Sequence, residues 1–417
     1  MNSKIFIKSV AALMSGTVAA QIIAFSFSII LARIYSDQDF GYFSAFVGVL
    51  SILSIISTGA YDKALMFAGS SRRALSIILL VLLIASILSS AVFAGGGILK
   101  LFSVELPFGF GYVDSIILLP FAIIFLASFQ VFNYSSLKSG EIRSLSWLKV
   151  GQAIVTGCVQ CVGALVGMKF IVFGYVAGFI IYIPLLYKKI KNLKDYRKRK
   201  IKEATIATAK KYRHYPSYVC PNELVDVASH QIPLLIIGLL YSVSTLGQYG
   251  FAQRILAAPA AFVGQSVGQV FFKSISDKKI TASGMQRLMI RVWVVMGLIG
   301  TIPFLLLFLI GENVFVWLFG SGWSDAGKMA EILAILLFFR FVSSPTSTIY
   351  YKLGLVREQF IFSVMAFAVR LTPFIFVEFE YSIFVIIMMQ VIGEICIILL
   401  FNLVAFLKLK KLKLNIN

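Results

Sequence analysis

The sequence predicts an all-α integral membrane protein of about twelve spanning helices, arranged as two six-helix bundles. Three observations lead there. Hydrophobic residues make up 59% of the 417 and charged ones 13%, with a mean hydropathy of +0.92, against about 45–50% and roughly 25% in soluble domains. Apolar stretches of about twenty residues, each long enough to cross a bilayer, recur along the whole chain. A short signature also occurs twice, about half the chain apart: Tyr35-Ser36, Phe40-Gly41 and Phe43 return with the same spacing as Tyr241-Ser242, Leu246-Gly247 and Tyr249. A second echo, Lys138, Gly140 and Arg143 with Lys352, Gly354 and Arg357, falls at nearly the same offset, as an internal duplication requires.

The first stretch, 9–33, follows Lys4 and Lys8 and contains the small-residue run Thr17-Val18-Ala19-Ala20 before Gln21. This imitates a secretory signal, but the apolar run continues to Ala32, too long for a signal core, so it reads as a first spanning helix. Five more follow at 41–67, 74–99, 113–137, 145–168 and 170–187. A second set of six lies at 215–240, 246–272, 288–310, 328–351, 359–377 and 382–406. Twelve basic residues between Lys188 and Arg213 separate the sets. The expected organisation is therefore an N-terminal bundle at 1–187, a basic cytoplasmic linker at 188–213 and a C-terminal bundle at 214–417. Six is an even number, so each bundle starts and ends on one side, and the two are expected to be parallel repeats about a pseudo-twofold axis along the membrane normal.

A net charge of +20 would suggest nucleic acid as partner in a soluble protein, but here the charge sorts by topology. All but seven of the 38 Lys and Arg residues fall on one side of the predicted spans. Arg33, Lys100, Lys169 and Lys328 lie on the other, and Arg254, Arg340 and Arg370 lie inside the membrane. The excess marks the cytoplasmic side and places both termini there. The linker and the run Lys408, Lys410, Lys411 and Lys413 read either as solvated stop-transfer segments or as surfaces that gather anionic lipid headgroups. Within the bundles, Gly163 with Gly167, Gly174 with Gly178 and Gly264 with Gly268 would let helices approach closely.

Ionisable residues inside spans need a partner or water, and they are unevenly distributed. The first half contributes Asp62 and Lys63; the second contributes Glu223, Asp226, His230, Arg254, Arg340, Arg370 and Glu394. Glu223, Asp226 and His230 stand at i, i+3 and i+7, on one helix face. With Glu394 they are candidates to bind a coupling ion, H⁺ or Na⁺; the alternative is internal pairing with Arg254 or Arg340. The three deep arginines suit an anionic substrate, because a guanidinium binds phosphate through paired hydrogen bonds; the alternative is neutralisation by an intramembrane acid. Thr17, Gln21 and Ser28 form a polar stripe on helix one. Gln265 and Gln269 on helix eight, and Gln130 with Asn133 on helix four, can be read the same way, facing either a substrate cavity or neighbouring helices.

No catalytic arrangement is visible. His214 and His230 lack metal-ligand spacing, Cys158 and Cys161 have no matching second pair, and no phosphate loop or nucleophile motif occurs. No metal or cofactor is expected, and a non-enzymatic function fits best.

Several segments read together carry a resemblance. Ser15-Gly16-Thr17 with Leu31-Ala32-Arg33-Ile34-Tyr35-Ser36 and Asp39-Phe40-Gly41 resembles the opening of the polysaccharide-transporter family, the bacterial O-antigen and capsule-unit flippases of Wzx type. Ala252-Gln253-Arg254-Ile255-Leu256 with Pro259 and Gly268-Gln269-Val270-Phe271-Phe272, and Arg340-Phe341-Val342 with Ser344-Pro345, are similar to its eighth and tenth helices. The family tends to carry a basic residue, Tyr and an acid at the end of helix two, whereas this chain has Ala60-Tyr61-Asp62-Lys63, so the acid is matched at Asp62 while the basic residue, Lys63, follows it instead of preceding the tyrosine. The resemblance implies the fold of the multidrug and toxic-compound extruders (MATE-like). It also implies a lipid-linked oligosaccharide substrate, undecaprenyl-pyrophosphate carrying a short sugar unit, moved to the outer leaflet of the bacterial cytoplasmic membrane for O-antigen, capsule or exopolysaccharide assembly. Implied partners are membrane lipids, a polysaccharide polymerase and a chain-length regulator. An ion-coupled drug or metabolite antiporter of the same fold and a membrane polysaccharide polymerase are the competing functions. The cavity residues would be Arg254, Arg340, Arg370, Gln21, Gln265, Gln269, Asp62 and Lys63.

Overall fold

The computed structural model describes residues 3–104, 108, 117–165, 170–192, 198–275 and 280–414. Among these there is no β-strand, and eleven helical segments are long and apolar enough to cross a membrane. The twelfth expected span, 246–272, is a single helix, but one that carries Gln248, Gln253 and Arg254. The chain divides into two compact units, Met1–Leu239 and Leu240–Asn417.

The first unit contains α1 (Ser3–Ile34), α2 (Asp37–Thr58), α3 (Tyr61–Ala64), α4 (Ser71–Leu101), α5 (Leu119–Ser139), α6 (Ile142–Leu165), α7 (Phe170–Gly178), α8 (Tyr182–Asn192), α9 (Lys198–Lys211) and α10 (Cys220–Leu240). Helix α2 starts where Ser36 and Asp39 cap each other: the Ser36 hydroxyl accepts from Asp39 N–H at 3.2 Å, and the Asp39 carboxylate accepts from Ser36 N–H at 3.1 Å. Such a reciprocal cap satisfies two amides that the helix itself leaves unpaired. The helix stops short of the expected span 41–67, because Gly59 (φ 54) and Ala60 (φ 57) both turn left-handed. Helices α6 and α7 touch at glycines, with Gly163 against Phe170 and Gly174 against Gln160, where a Cβ would collide. The close approach expected from those two glycines is thus present.

Two features of this unit depart from the expected organisation. Part of the basic linker is helical: α9 packs along α4, and Tyr61 Oη donates to Ala209 O at 3.3 Å while Tyr212 Oη donates to Phe67 O at 3.2 Å. Helix α10, placed by the sequence at the head of the C-terminal bundle, falls in the first unit. Gln231 and Leu235 pack against Gly48 of α2, and Glu223 pairs with Lys63.

The second unit contains α11 (Val243–Ile275), α12 (Ala282–Phe319), α13 (Ser324–Ser343), α14 (Ile349–Lys352), α15 (Val356–Leu371) and α16 (Ile383–Leu414). Helix α12 is long but kinked at Ile310, where φ is −136. Its hairpin with α13 is close because Gly327 lies against the backbone of Gly311 and Glu312. One packed cluster joins Phe251, Phe315, Phe319 and Trp323; another joins Phe271, Met289, Ile349, Tyr350 and Leu409. By contrast, Leu298 and Ile302 on α12 are 71% and 68% exposed, which suits contact with lipid tails rather than water.

The duplication is visible in local geometry. Ser242 caps α11 as Ser36 caps α2, its hydroxyl accepting from Thr245 N–H at 3.0 Å. Tyr35 Oη donates to Gln160 O at 2.8 Å and Tyr241 Oη to Tyr381 O at 2.9 Å, each within its own unit. Phe40 and Leu246 are both buried, as are Phe43 and Tyr249. In the second echo, Gly140 (φ 74) and Gly354 (φ 70) both adopt the left-handed conformation that ends a helix.

Candidate functional site

Three of the charged residues singled out in the second half meet at one point of the second unit. Arg340 lies in the last turn of α13, Arg370 in the last turn of α15, and Glu394 on α16. Gly393 lets α16 approach α15, because a side chain there would strike Val369. Arg370 donates from Nε to Glu394 Oε1 at 2.9 Å and from Nη2 to Oε2 at 3.2 Å, a two-pronged contact. Arg340 Nη2 donates to the same Oε2. Glu394 and Arg370 are buried, whereas the Arg340 side chain is 33% exposed. One carboxylate facing two guanidiniums leaves a formal excess of one positive charge, partly open at Arg340. Tyr249, buried and accepting from Gln253 Nε2 at 2.8 Å, stands in the field of these three charges.

The sequence pattern offers Glu394 for ion coupling and the arginines for substrate. The structure places Glu394 with Arg340 and Arg370, so the alternative of neutralisation by an intramembrane acid applies to both arginines in part. Arg254 is on α11 and exposed. Gln265 and Gln269 also belong to α11, but their side chains lie outside the described residues.

In the first unit, Lys63 Nζ pairs with Glu223 Oε1. Asp62, beside it, is only 3% exposed, and its Oδ1 has no hydrogen-bond partner among the described residues. Asp62 lies between the spans Asp37–Thr58 and Ser71–Leu101. Burial pushes its carboxyl above the usual carboxylate range, against the opposing pull of the Lys63 charge and the Thr58 hydroxyl. On α10, His230 Nδ1 sits 2.9 Å from Asp226 O and 3.2 Å from Ser229 Oγ, and both Asp226 and His230 are exposed. On α1, Gln21 is half-buried, while the Ser28 hydroxyl donates to its own helix at Phe25 O, 2.6 Å.

The buried amides of Gln160 and Gln248 are not marked by the sequence pattern. Gln160 Nε2 donates to Ile171 O at 2.6 Å and ties α6 to α7. Gln248 spans the turn between α12 and α13, donating to Gly322 O at 2.7 Å and accepting from Ala326 N–H at 3.0 Å. The only hint was position, since Gln248 lies inside the repeated signature. Among the described residues no group of three His, Cys, Asp or Glu side chains could hold a metal ion.

Comparison with known proteins agrees with this architecture. The family described as "Polysaccharide biosynthesis protein" matches residues 30–328. The chain has the fold of a lipid II flippase MurJ in an inward closed conformation, with a TM-score of 0.74 at 15% identity, over 95% of this chain and 89% of that one. It is also similar to an inward-facing multidrug resistance MATE family transporter of the MOP superfamily, with a TM-score of 0.63 at 11% identity, over 95% and 99% of the two chains. A MOP superfamily transporter from Pyrococcus furiosus gives a TM-score of 0.58 at 11% identity, over 97% and 96%. No curated protein matches the sequence.

Proposed function

Since the chain belongs to the polysaccharide biosynthesis protein family, we propose that it is a flippase that moves undecaprenyl-pyrophosphate-linked oligosaccharide units from the cytoplasmic to the outer leaflet, for O-antigen, capsule or exopolysaccharide assembly. The observation that carries this reading is that a polysaccharide-biosynthesis sequence is folded as a MOP-type transporter, the fold it shares with a lipid II flippase. A sugar-assembly pathway needs a transporter where its intermediate is built on one leaflet and used on the other. The surplus guanidinium charge around Glu394 supports an anionic headgroup, with Arg340, Arg370 and Arg254 meeting the pyrophosphate by alternating access. Gln21, Gln265 and Gln269 are proposed to bind sugar hydroxyls.

The same reading places the chain in the bacterial cytoplasmic membrane with both termini in the cytoplasm, as the distribution of basic residues supports. Asp62, Glu223, Asp226 and His230 are the groups available to bind H⁺ or Na⁺ if an ion gradient drives transport. Lys63 is proposed to hold Glu223 rather than substrate. A polymerase and a chain-length regulator would act on the translocated units.

The test is loss of the gene. Lipid-linked units should accumulate facing inward, and supplying the chain in trans should return them to the outer leaflet. Exposure of single units outside would instead indicate a polymerase, and unchanged polysaccharide with altered sensitivity to cationic drugs an antiporter.

A further inference from the structure

The end of the first unit where α4 begins and α5 and α8 finish holds an open cavity of about 460 Å³ that the transport reading does not use. That volume is in the range of small-ligand pockets, roughly 300–1,000 Å³. Its polar wall is made of hydroxyls, ammonium groups and one carboxylate: Ser70, Ser71, Ser135 and Ser139, with Lys138, Lys189 and Glu141. Lys189 is fixed in place. Its Nζ stands 3.1 Å from Glu141 Oε2, donates to Ser136 Oγ at 2.9 Å, and lies 4.9 Å from the centre of the Phe132 ring. Lys138 Nζ donates to Ala68 O. An ammonium has three N–H donors, so among the described residues two remain on Lys138 and one on Lys189. Arg73 lies just outside this wall: a Cβ on Gly69, which lines it, would come within 3.4 Å of the Arg73 Nη1. Two cations, Lys138 and Lys189, thus line the cavity with one acid, Glu141, which pairs with Lys189, and the cavity also receives the positive end of the 31-residue helix α4.

The geometry points to a phosphate-ester site: Lys138, with Ser71, holds a phosphate oxygen, and Lys189 and Arg73 supply the surrounding positive charge. A carboxylate alone would leave most of these donors unused, whereas a phosphate offers several acceptor oxygens to serines and ammonium groups together. The ligand is a phosphate group that arrives either on the headgroup of an anionic lipid or on a free phosphate compound. The turn Leu65–Phe67 beside the cavity exposes Phe67 by 71%, an apolar neighbour suited to an acyl chain.

The proposal is tested on the purified full-length protein in neutral detergent, by titrating phosphatidylglycerol, phosphatidylcholine, glycerol 3-phosphate and inorganic phosphate while following thermal unfolding. Phosphatidylglycerol is expected to raise the unfolding midpoint by several degrees, with phosphatidylcholine inert. The double variant Lys138→Ala/Ser71→Ala should weaken that apparent affinity at least tenfold, and Lys138→Arg should retain it. Because neither substitution touches Lys189, which braces α8, the variant's own midpoint without ligand reports whether the fold survives. Equal effects of glycerol 3-phosphate or inorganic phosphate at millimolar concentration would identify the free compound as the source and still support the site. Identical responses of wild type and the double variant to every anion, or no response to any of them, would overturn it. Gene complementation in the flippase assay is a separate readout, so failure of the transport reading would leave this result standing.

Discussion

Glu394 carries an unusual burden for a single side chain. It accepts from two guanidiniums on two other helices while almost wholly shielded from solvent. Removing one partner of a buried ion cluster leaves a charge without compensation and costs roughly 3–5 kcal/mol. Glu394→Ala should therefore lower the unfolding midpoint far more than Arg340→Ala, whose side chain is already 33% exposed and whose loss leaves the Arg370 pair intact. Thermal unfolding in detergent would decide this, and similar losses for both variants would contradict the shared-carboxylate arrangement. All three residues stood out in the sequence, because charge inside an apolar stretch is conspicuous. Their partnership did not: Glu394 follows Arg370 by 24 residues and Arg340 by 54, and linear spacing says nothing about which helix faces meet at that distance. Lys189 was harder still to find, since it lies in the basic run that reads as a linker.

At the scale of elements, the short helix α3 shows how two backbone angles divide one apolar stretch. An alanine in the left-handed region costs about 1–2 kcal/mol relative to its usual conformations, and glycine next to it costs little. Gly59 and Ala60 have nearly the same φ, 54 and 57, so exchanging their types should move stability in opposite directions. Gly59→Ala is expected to destabilise by about 1 kcal/mol, whereas Ala60→Gly should be neutral or mildly stabilising. Denaturation of the two variants beside wild type checks this, and equal losses would mean that contacts rather than backbone conformation set the break. Apolar length predicted the spans around this point well. It missed the break because Gly59 is an ordinary residue in a membrane helix and nothing marks Ala60. The α9 helix is hidden for the opposite reason: twelve basic residues between Lys188 and Arg213 look solvated, although Thr208 within it and Tyr212 just after it are buried.

For the whole molecule, composition and the repeated signature were enough to expect a helical transporter built by duplication. The division into units was only half legible, because α10 reads as the start of the second copy yet packs with the first. Contacts such as Gly48 with Leu235 cannot be inferred from an order of hydrophobic segments. The orientation proposed from the basic residues leads to a direct measurement. In a cysteine-free background, single cysteines placed at Lys210 and Lys411 should react with an impermeant maleimide only after the inner side is exposed, and one placed at Ser321 should react from outside. Labelling of Lys210 and Ser321 from the same side would refute that topology.

The tyrosine bonds of the two opening turns also bear on how the chain is made. Tyr35 must wait for a carbonyl 125 residues further along the chain, and Tyr241 for one 140 residues on. The ribosome delivers Gln160 before Tyr241 exists, so the first copy has both halves of its fastening while the second is still unwritten. Each fastening joins the beginning of a copy to a segment made late in it, which makes it a closing step of biogenesis rather than an early nucleus. An insertion pause after the first copy would leave a unit already able to fasten itself, and one before Tyr381 would leave the second open.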